Sequence, residues 1–195
     1  MLSLDEINAI EEILSNYSNQ FQEIDQPTEE EKNVFSIVDE ALILKEYDNI
    51  EFNKLLNIKE LTKSAWLTLV NVDYSLYSGK QRQIYGDLQL IGIKVLRFNY
   101  GHLLIRPETL GDKITELFHH TEIDIKEFPE FSSKYYFISD NEALALSFAS
   151  QQRLMLIETQ KEITIEIINN TLIAKFPRFL NSADFESMLD FIKNI

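Results

Sequence analysis

Apolar positions along the chain change their period near residue 65. Before that point they recur at helical spacing. Ile7, Ile10, Leu14 and Tyr17 form one stripe, and Ser3 with Glu6 has the spacing of a capping box in front of it. SNQFQEIDQP interrupts the pattern, with Pro27 closing the linker. Thr28 with Glu31 is a second capping box, ahead of a helix carrying Val34, Val38, Ala41 and Leu42 to about Tyr47. The acids Glu29, Glu30 and Glu31 suit the positive end of that helix's dipole. Phe52, Leu55 and Leu56 predict a short third helix, so residues 1–60 read as an all-helical arm.

From residue 65 the period becomes two. Trp66, Thr68, Val70, Val72, Tyr74 and Leu76 share one face of a strand. SGK at 78–80 marks a turn, and QIYGDLQLIGIKVLRF is the returning strand. Gly86 and Gly92 within it predict bulges or bends. NYG at 99–101 turns again and HLLIR completes a three-stranded meander. Past Pro107, Leu110, Ile114, Leu117 and Phe118 predict a helix that ends at His119 and His120. TEIDIKEFPEFSS reads as a loop or short edge strand, KYYFIS as a strand, and NEALALSFASQQRLMLIET as one helix or two short ones. ITIEIINNTLIAKF predicts a hairpin turning at Asn169 and Asn170, since Asn tolerates positive φ. Ser182 caps a last helix with Phe185, Met188, Leu189 and Ile192 on its inner side.

The expected architecture is α+β: a mostly antiparallel sheet of order β-β-β-α-β-α-β-β-α with helices on one face. An N-terminal helical segment precedes it. The division is an acidic arm over 1–60 and an α+β domain over 61–195.

Charge sharpens that division. The net charge is −14, and residues 1–60 hold 15 Asp and Glu against 4 Lys and Arg. Such a segment repels a phosphate backbone, which argues against nucleic acid, and repels an anionic bilayer for the same reason. No run reaches the length of a membrane span, so direct membrane insertion is not expected. Acids near the N-terminus do not fit an export signal. Zero cysteines exclude disulfides and thiolate metal ligands, and cytoplasm is the expected compartment.

One stretch, EFPEFSSKYYF at 127–137, collects rings and carboxylates. Pro129 stiffens it, Phe128 and Phe131 are rings to bury, and Glu130 or Asp124 is placed to accept loop N–H groups. That is a staple holding a loop down. The competing reading makes Asp124 and Glu130, with His119 or His120, ligands or an acid–base pair of a hydrolase or metal-dependent enzyme. Adjacent helical histidines point about 100° apart and do not converge on one ion. His102, at a strand start, has no visible partner motif. Phosphate-binding, dinucleotide and nucleophile-elbow motifs are all missing, so no cofactor is expected.

LLIRPETLGDKI followed by TEIDIKEFPEFSSKYYFISDNEALALSF resembles an uncharacterised bacterial family, a domain of unknown function often found behind membrane-spanning segments. Pro107-Glu108, Ile123-Asp124, Pro129-Glu130-Phe131-Ser132 and Asp140-Asn141-Glu142 carry the likeness, over roughly residues 65–195. The resemblance implies a fold more than an activity, with no catalytic residues to transfer. The function expected is a non-enzymatic module that binds another protein, as a regulator, adaptor or immunity-type protein, with the acidic arm in the contact. A peripheral role in a membrane-associated complex is implied by the family's neighbours alone.

Overall fold

The computed structural model describes residues 4–61, 64–78, 81–108, 121–123, 125–160, 162–177 and 182–195. Helix α1 spans Leu4–Asn16 and is followed by strand β1, Phe21–Glu23. Helix α2, Glu29–Glu40, leads through a 3-10 turn at Leu42–Leu44 into β2, Asn49–Ile58. Strands β3 (Ala65–Ser78), β4 (Gln81–Val95) and β5 (His102–Pro107) come next, then β6 (Thr121–Glu122). A helical turn α3 (Pro129–Ser132) precedes β7, Tyr135–Ser139. Helices α4 (Glu142–Phe148) and α5 (Gln151–Thr159), the hairpin β8–β9 (Thr164–Ile168, Thr171–Lys175) and α6 (Ser182–Asn194) complete the chain.

The nine strands among the described residues form one sheet, in the order β1-β2-β3-β4-β9-β8-β5-β7-β6, and every neighbouring pair is antiparallel. The class is α+β, as the period change predicts. One face packs Leu67, Leu90, Leu103 and Ile165 against the helices that follow residue 61, through Phe148, Leu154, Phe185 and Ile192, with α1 beside them. The N-terminal segment supplies the cover of the other face. Val34, Val38, Ile43 and Leu44 lie there on Trp66, Val70, Ile93, Leu104 and Ile173. The predicted stripe of α2 is therefore its buried side. Its capping box forms as expected, with Thr28 Oγ1 accepting from Glu31 N and Glu31 Oε2 accepting from Thr28 N at 2.8 Å.

Residues 1–60 are not all-helical. Residues 49–58, expected to be a helix around Phe52, Leu55 and Leu56, form β2, and β1 pairs with it as the edge strand. The cause is a bulge between Phe52 and Lys54. It breaks the two-residue alternation, so Ile50 and Leu55 face α2 while Leu56 and Ile58 face the opposite core. An interrupted strand period imitates a helical one. The N-terminal segment is consequently hydrogen-bonded into the sheet.

The meander also needs correction. β3 and β4 pair, but β5 lies between β8 and β7, while β4 bonds to β9. The β8–β9 hairpin, buried on both faces, takes the centre of the sheet. The β4–β5 connection wraps its turn instead: Leu96 N donates to Asn170 O at 2.6 Å, and Tyr100 N to Asn169 O at 2.7 Å. Asn169 has φ 60°, as the turn requires.

The predicted bulges at Gly86 and Gly92 do not occur, because β3 and β4 stay in register from Ala65–Lys94 to Ser78–Gln81. Gly92 serves close approach. A Cβ placed there would lie 2.7 Å from the side chains of Met188 and Ile192 on α6.

Candidate functional site

Asp124, His119 and His120 lie outside the described residues. Glu130 is on α3 with its side chain exposed. It does not bond the loop amides as expected. Ser132 does that, its Oγ accepting from Ile125 N at 3.1 Å. The rings around Pro129 behave as a staple. Phe131 is buried, stacks on Tyr135 with centroids 5.1 Å apart, and meets Phe137 edge-on at 6.2 Å. The Tyr135 hydroxyl donates to Gln160 O at 2.8 Å, and burial pushes its pKa up to about 12. Among the described residues, no group of three or more His, Asp or Glu side chains is placed to hold a metal ion.

The sheet face under α2 carries polar groups that sequence reasoning passed over. Glu166 is fully buried on β8. Its Oε1 lies 2.6 Å from His102 Nε2, and its Oε2 accepts from Ile43 N at 2.9 Å. A carboxylate beside an imidazole is the skeleton of a general-base couple. Here one oxygen is taken by a main-chain amide and the group is sealed from solvent, so the pair latches the 3-10 turn to the sheet. A detectable signal existed: Glu166 is the one acid inside the apolar run ITIEII, at a position whose neighbours two residues away are both buried or packed.

On the neighbouring strand β9 and the same face, Lys175 is buried and forms an ion pair with Glu46. Its Nζ lies 3.1 Å from Tyr47 Oη and 4.9 Å from that ring's centroid. Burial lowers the Lys175 pKa and Glu46 opposes the shift. Burial raises the Tyr47 hydroxyl above its ordinary range, with Glu46, Asp87 and Tyr74 adding to the effect. A lysine between a carboxylate and an aromatic face is well accommodated at this end of the sheet.

Beyond it the β3–β4 hairpin projects as a ribbon. Pairing with β2 ends at Asn49–Asp73, and pairing with β9 ends at Ile91–Lys175. Past those points the ribbon has no strand beside it among the described residues. Residues 81–86 are all exposed. Leu76, Ile84 and Tyr77 remain 54%, 64% and 72% exposed. Tyr74 stacks on Tyr85, with centroids 5.7 Å apart and planes 22° from parallel. Arg82 is pinned at its root: Nε donates to Ser75 Oγ at 2.7 Å, and Nη2 lies 3.1 Å from Asp48 Oδ1. The Ser75 hydroxyl and Arg82 hold the Asp48 carboxyl below its ordinary pKa. On the rungs where the ribbon begins, Glu51 faces Asn71, Asp73 faces Asn49 and Asp87 faces Val72. Open strand edges flanked by exposed rings are costly to keep in solution, and edge strands are commonly blunted or covered.

No family model, curated protein or solved structure matches this chain. No helix among the described residues is long and apolar enough to cross a membrane.

Proposed function

We propose that the chain is a non-enzymatic protein-binding module of the cytoplasm, in the regulatory or adaptor class. Its docking element is the β3–β4 ribbon, and its partner contributes a basic, extended segment. The observation that carries this reading is the ribbon itself, with Leu76, Tyr77 and Ile84 open to solvent on strands that have outrun their neighbours. A strand added to an open edge gains main-chain hydrogen bonds, and its alternate side chains find the exposed apolar positions. Charge selects the partner's sign. The described acids at the root outnumber Arg82, which Asp48 already holds. A second copy would carry the same acids and a net charge of −14 of its own, so charge disfavours self-association. The acidic N-terminal segment supports this indirectly, as β2 and the cover of one sheet face.

The test is a titration with two synthetic strand peptides, one alternating Lys with Val and one alternating Glu with Val. Amide hydrogen exchange locates the contact. The Lys-Val peptide is expected to bind, to slow exchange at residues 74–78 and 81–86, and to lose both effects in the double variant Leu76→Ser, Ile84→Ser. Protection elsewhere, equal binding of the Glu-Val peptide, or undiminished binding to the variant each overturns the reading. A concentration-dependent dimer in sedimentation, abolished by the same variant, overturns it in favour of a second copy.

A further inference from the structure

A separate feature lies where the β4–β5 connection, the α4–α5 junction and the end of α6 meet. They enclose an open cleft of about 700 Å³. Asn99, Ser147, Ser150, Gln152, Asn194 and Ile195 line it, together with Arg153 and the Phe98 and Tyr100 rings. No side chain lining it is acidic, in a chain of net charge −14.

Arg153 sits at its base. The guanidinium lies 4.7 Å from the Phe148 centroid and 5.2 Å from that of Tyr100. Nη1 donates to Tyr100 Oη at 3.0 Å and to Phe148 O at 3.2 Å. Stacking on two rings fixes the plane of the fork, and both acceptors are neutral. Nε and Nη2 have no protein acceptor among the described residues. A second cation stands close by. Lys94 Nζ donates to Ile192 O at 2.8 Å, and its pKa is lowered by burial and then by the charge of Arg153. Arg97, over the Phe98 ring at 5.2 Å, adds a third at the mouth. Lys175, Lys193, Lys134 and Arg82 each pair with an acid: Glu46, Glu60, Glu158 and Asp48. Arg153 and Lys94 are held by neutral oxygens, and they repel one another.

We infer that this cleft binds a small organic anion. Its carboxylate or phosphate sits on the open edge of Arg153, and its apolar part lies against Phe98. A planar guanidinium with two unused donors matches the oxygens of either group. An anion there also relieves the repulsion between Arg153 and Lys94. The inference is independent of the ribbon, which lies at the far end of β4.

Inorganic phosphate and benzoate are the probes, titrated at constant ionic strength and followed by heteronuclear NMR on the full chain. Saturable shifts are expected at the Arg153 Nε–H and at the amides of Ser150 and Gln152. Preference between the probes separates a phosphate from a carboxylate ligand. Arg153→Gln removes the fork but also the staple between Tyr100 and Phe148. The decisive variant is therefore Gln152→Glu, which adds negative charge and leaves every Arg153 contact in place. It is expected to weaken binding about tenfold or more, the scale of one charge-assisted hydrogen bond. Failure of both anions to saturate at millimolar concentration, shifts confined to other residues, or unchanged affinity in Gln152→Glu each overturns the inference.

Discussion

The two halves of the β3–β4 hairpin are built from the same kinds of residue and meet opposite fates. In the half near Ala65 and Val95, Trp66, Val70, Ile91 and Ile93 are buried beneath α2 and its 3-10 turn. In the half near Ser78 and Gln81, Leu76, Tyr77, Ile84 and Tyr85 lie open. Pairing between the two strands is continuous through both halves, so the ladder does not distinguish them. What changes is the company: β2 and β9 stop short, and with them the covering helices. Strand formation here depends on the two strands' own cross-strand pairing, whereas burial depends on neighbours brought from other parts of the chain. The covered half holds the fold, and the open half is where stability has least to lose.

The largest test of that contrast is a pair of truncations. Trp66→Ala empties a fully enclosed site that also holds an edge-on contact with Phe35 at 6.0 Å. It is expected to cost about 3–5 kcal/mol. Leu76→Ala, ten residues along the same strand face, is expected to stay within about 0.5 kcal/mol. Urea denaturation of both variants measures the difference. Similar losses would mean that the ribbon is packed in solution and that the comparison fails.

A smaller effect probes how the cover is attached. Glu166→Ala leaves Ile43 N without its acceptor and His102 without its carboxylate. The expected loss is about 2–3 kcal/mol, the upper range for hydrogen bonds to a charged group. Exchange should quicken at the amides of residues 42–44 before it does in β8. If Ile43 N–H keeps its protection, the latch is not what holds the 3-10 turn.

Much of this is legible in the amino-acid sequence. Thr28 with Glu31, the Asn169 turn, the inner side of α6 and the burial of Trp66 all follow from local spacing, because each depends on residues within a turn or a strand. What misled was longer in range. The bulge at Phe52–Lys54 gave a strand the spacing of a helix. The place of β5 was set by a hairpin some 60 residues downstream, which adjacency along the chain does not reveal. Glu166 stood out only as an acid inside an apolar run, and Arg153 not at all, because their partners His102, Ile43, Tyr100 and Lys94 come from distant elements. Rings and acids near Pro129 drew attention because they are neighbours in sequence, yet Glu130 stands exposed and the work of the loop falls to Ser132 and Phe131.

Two glycines in β4 offer the finest form of the comparison. Gly92 lies in the covered half, where α6 presses so closely that an added Cβ would stand 2.7 Å from Ile192 and Met188. Gly86 lies in the open half, opposite Asp73 and exposed. Gly92→Ala therefore forces α6 outward or distorts two core side chains, an overpacking cost of about 1–3 kcal/mol. Gly86→Ala falls at an exposed position and restricts the unfolded chain, so it is expected to stabilise by up to about 0.5–1 kcal/mol. The two changes are chemically identical and six residues apart on one strand, with side chains on the same face. Backbone propensity alone predicts a gain at both positions. Opposite signs in paired thermal melts would show that packing by α6 decides the outcome. Equal gains would mean that α6 yields without cost, and that the covered half is looser than its burial suggests.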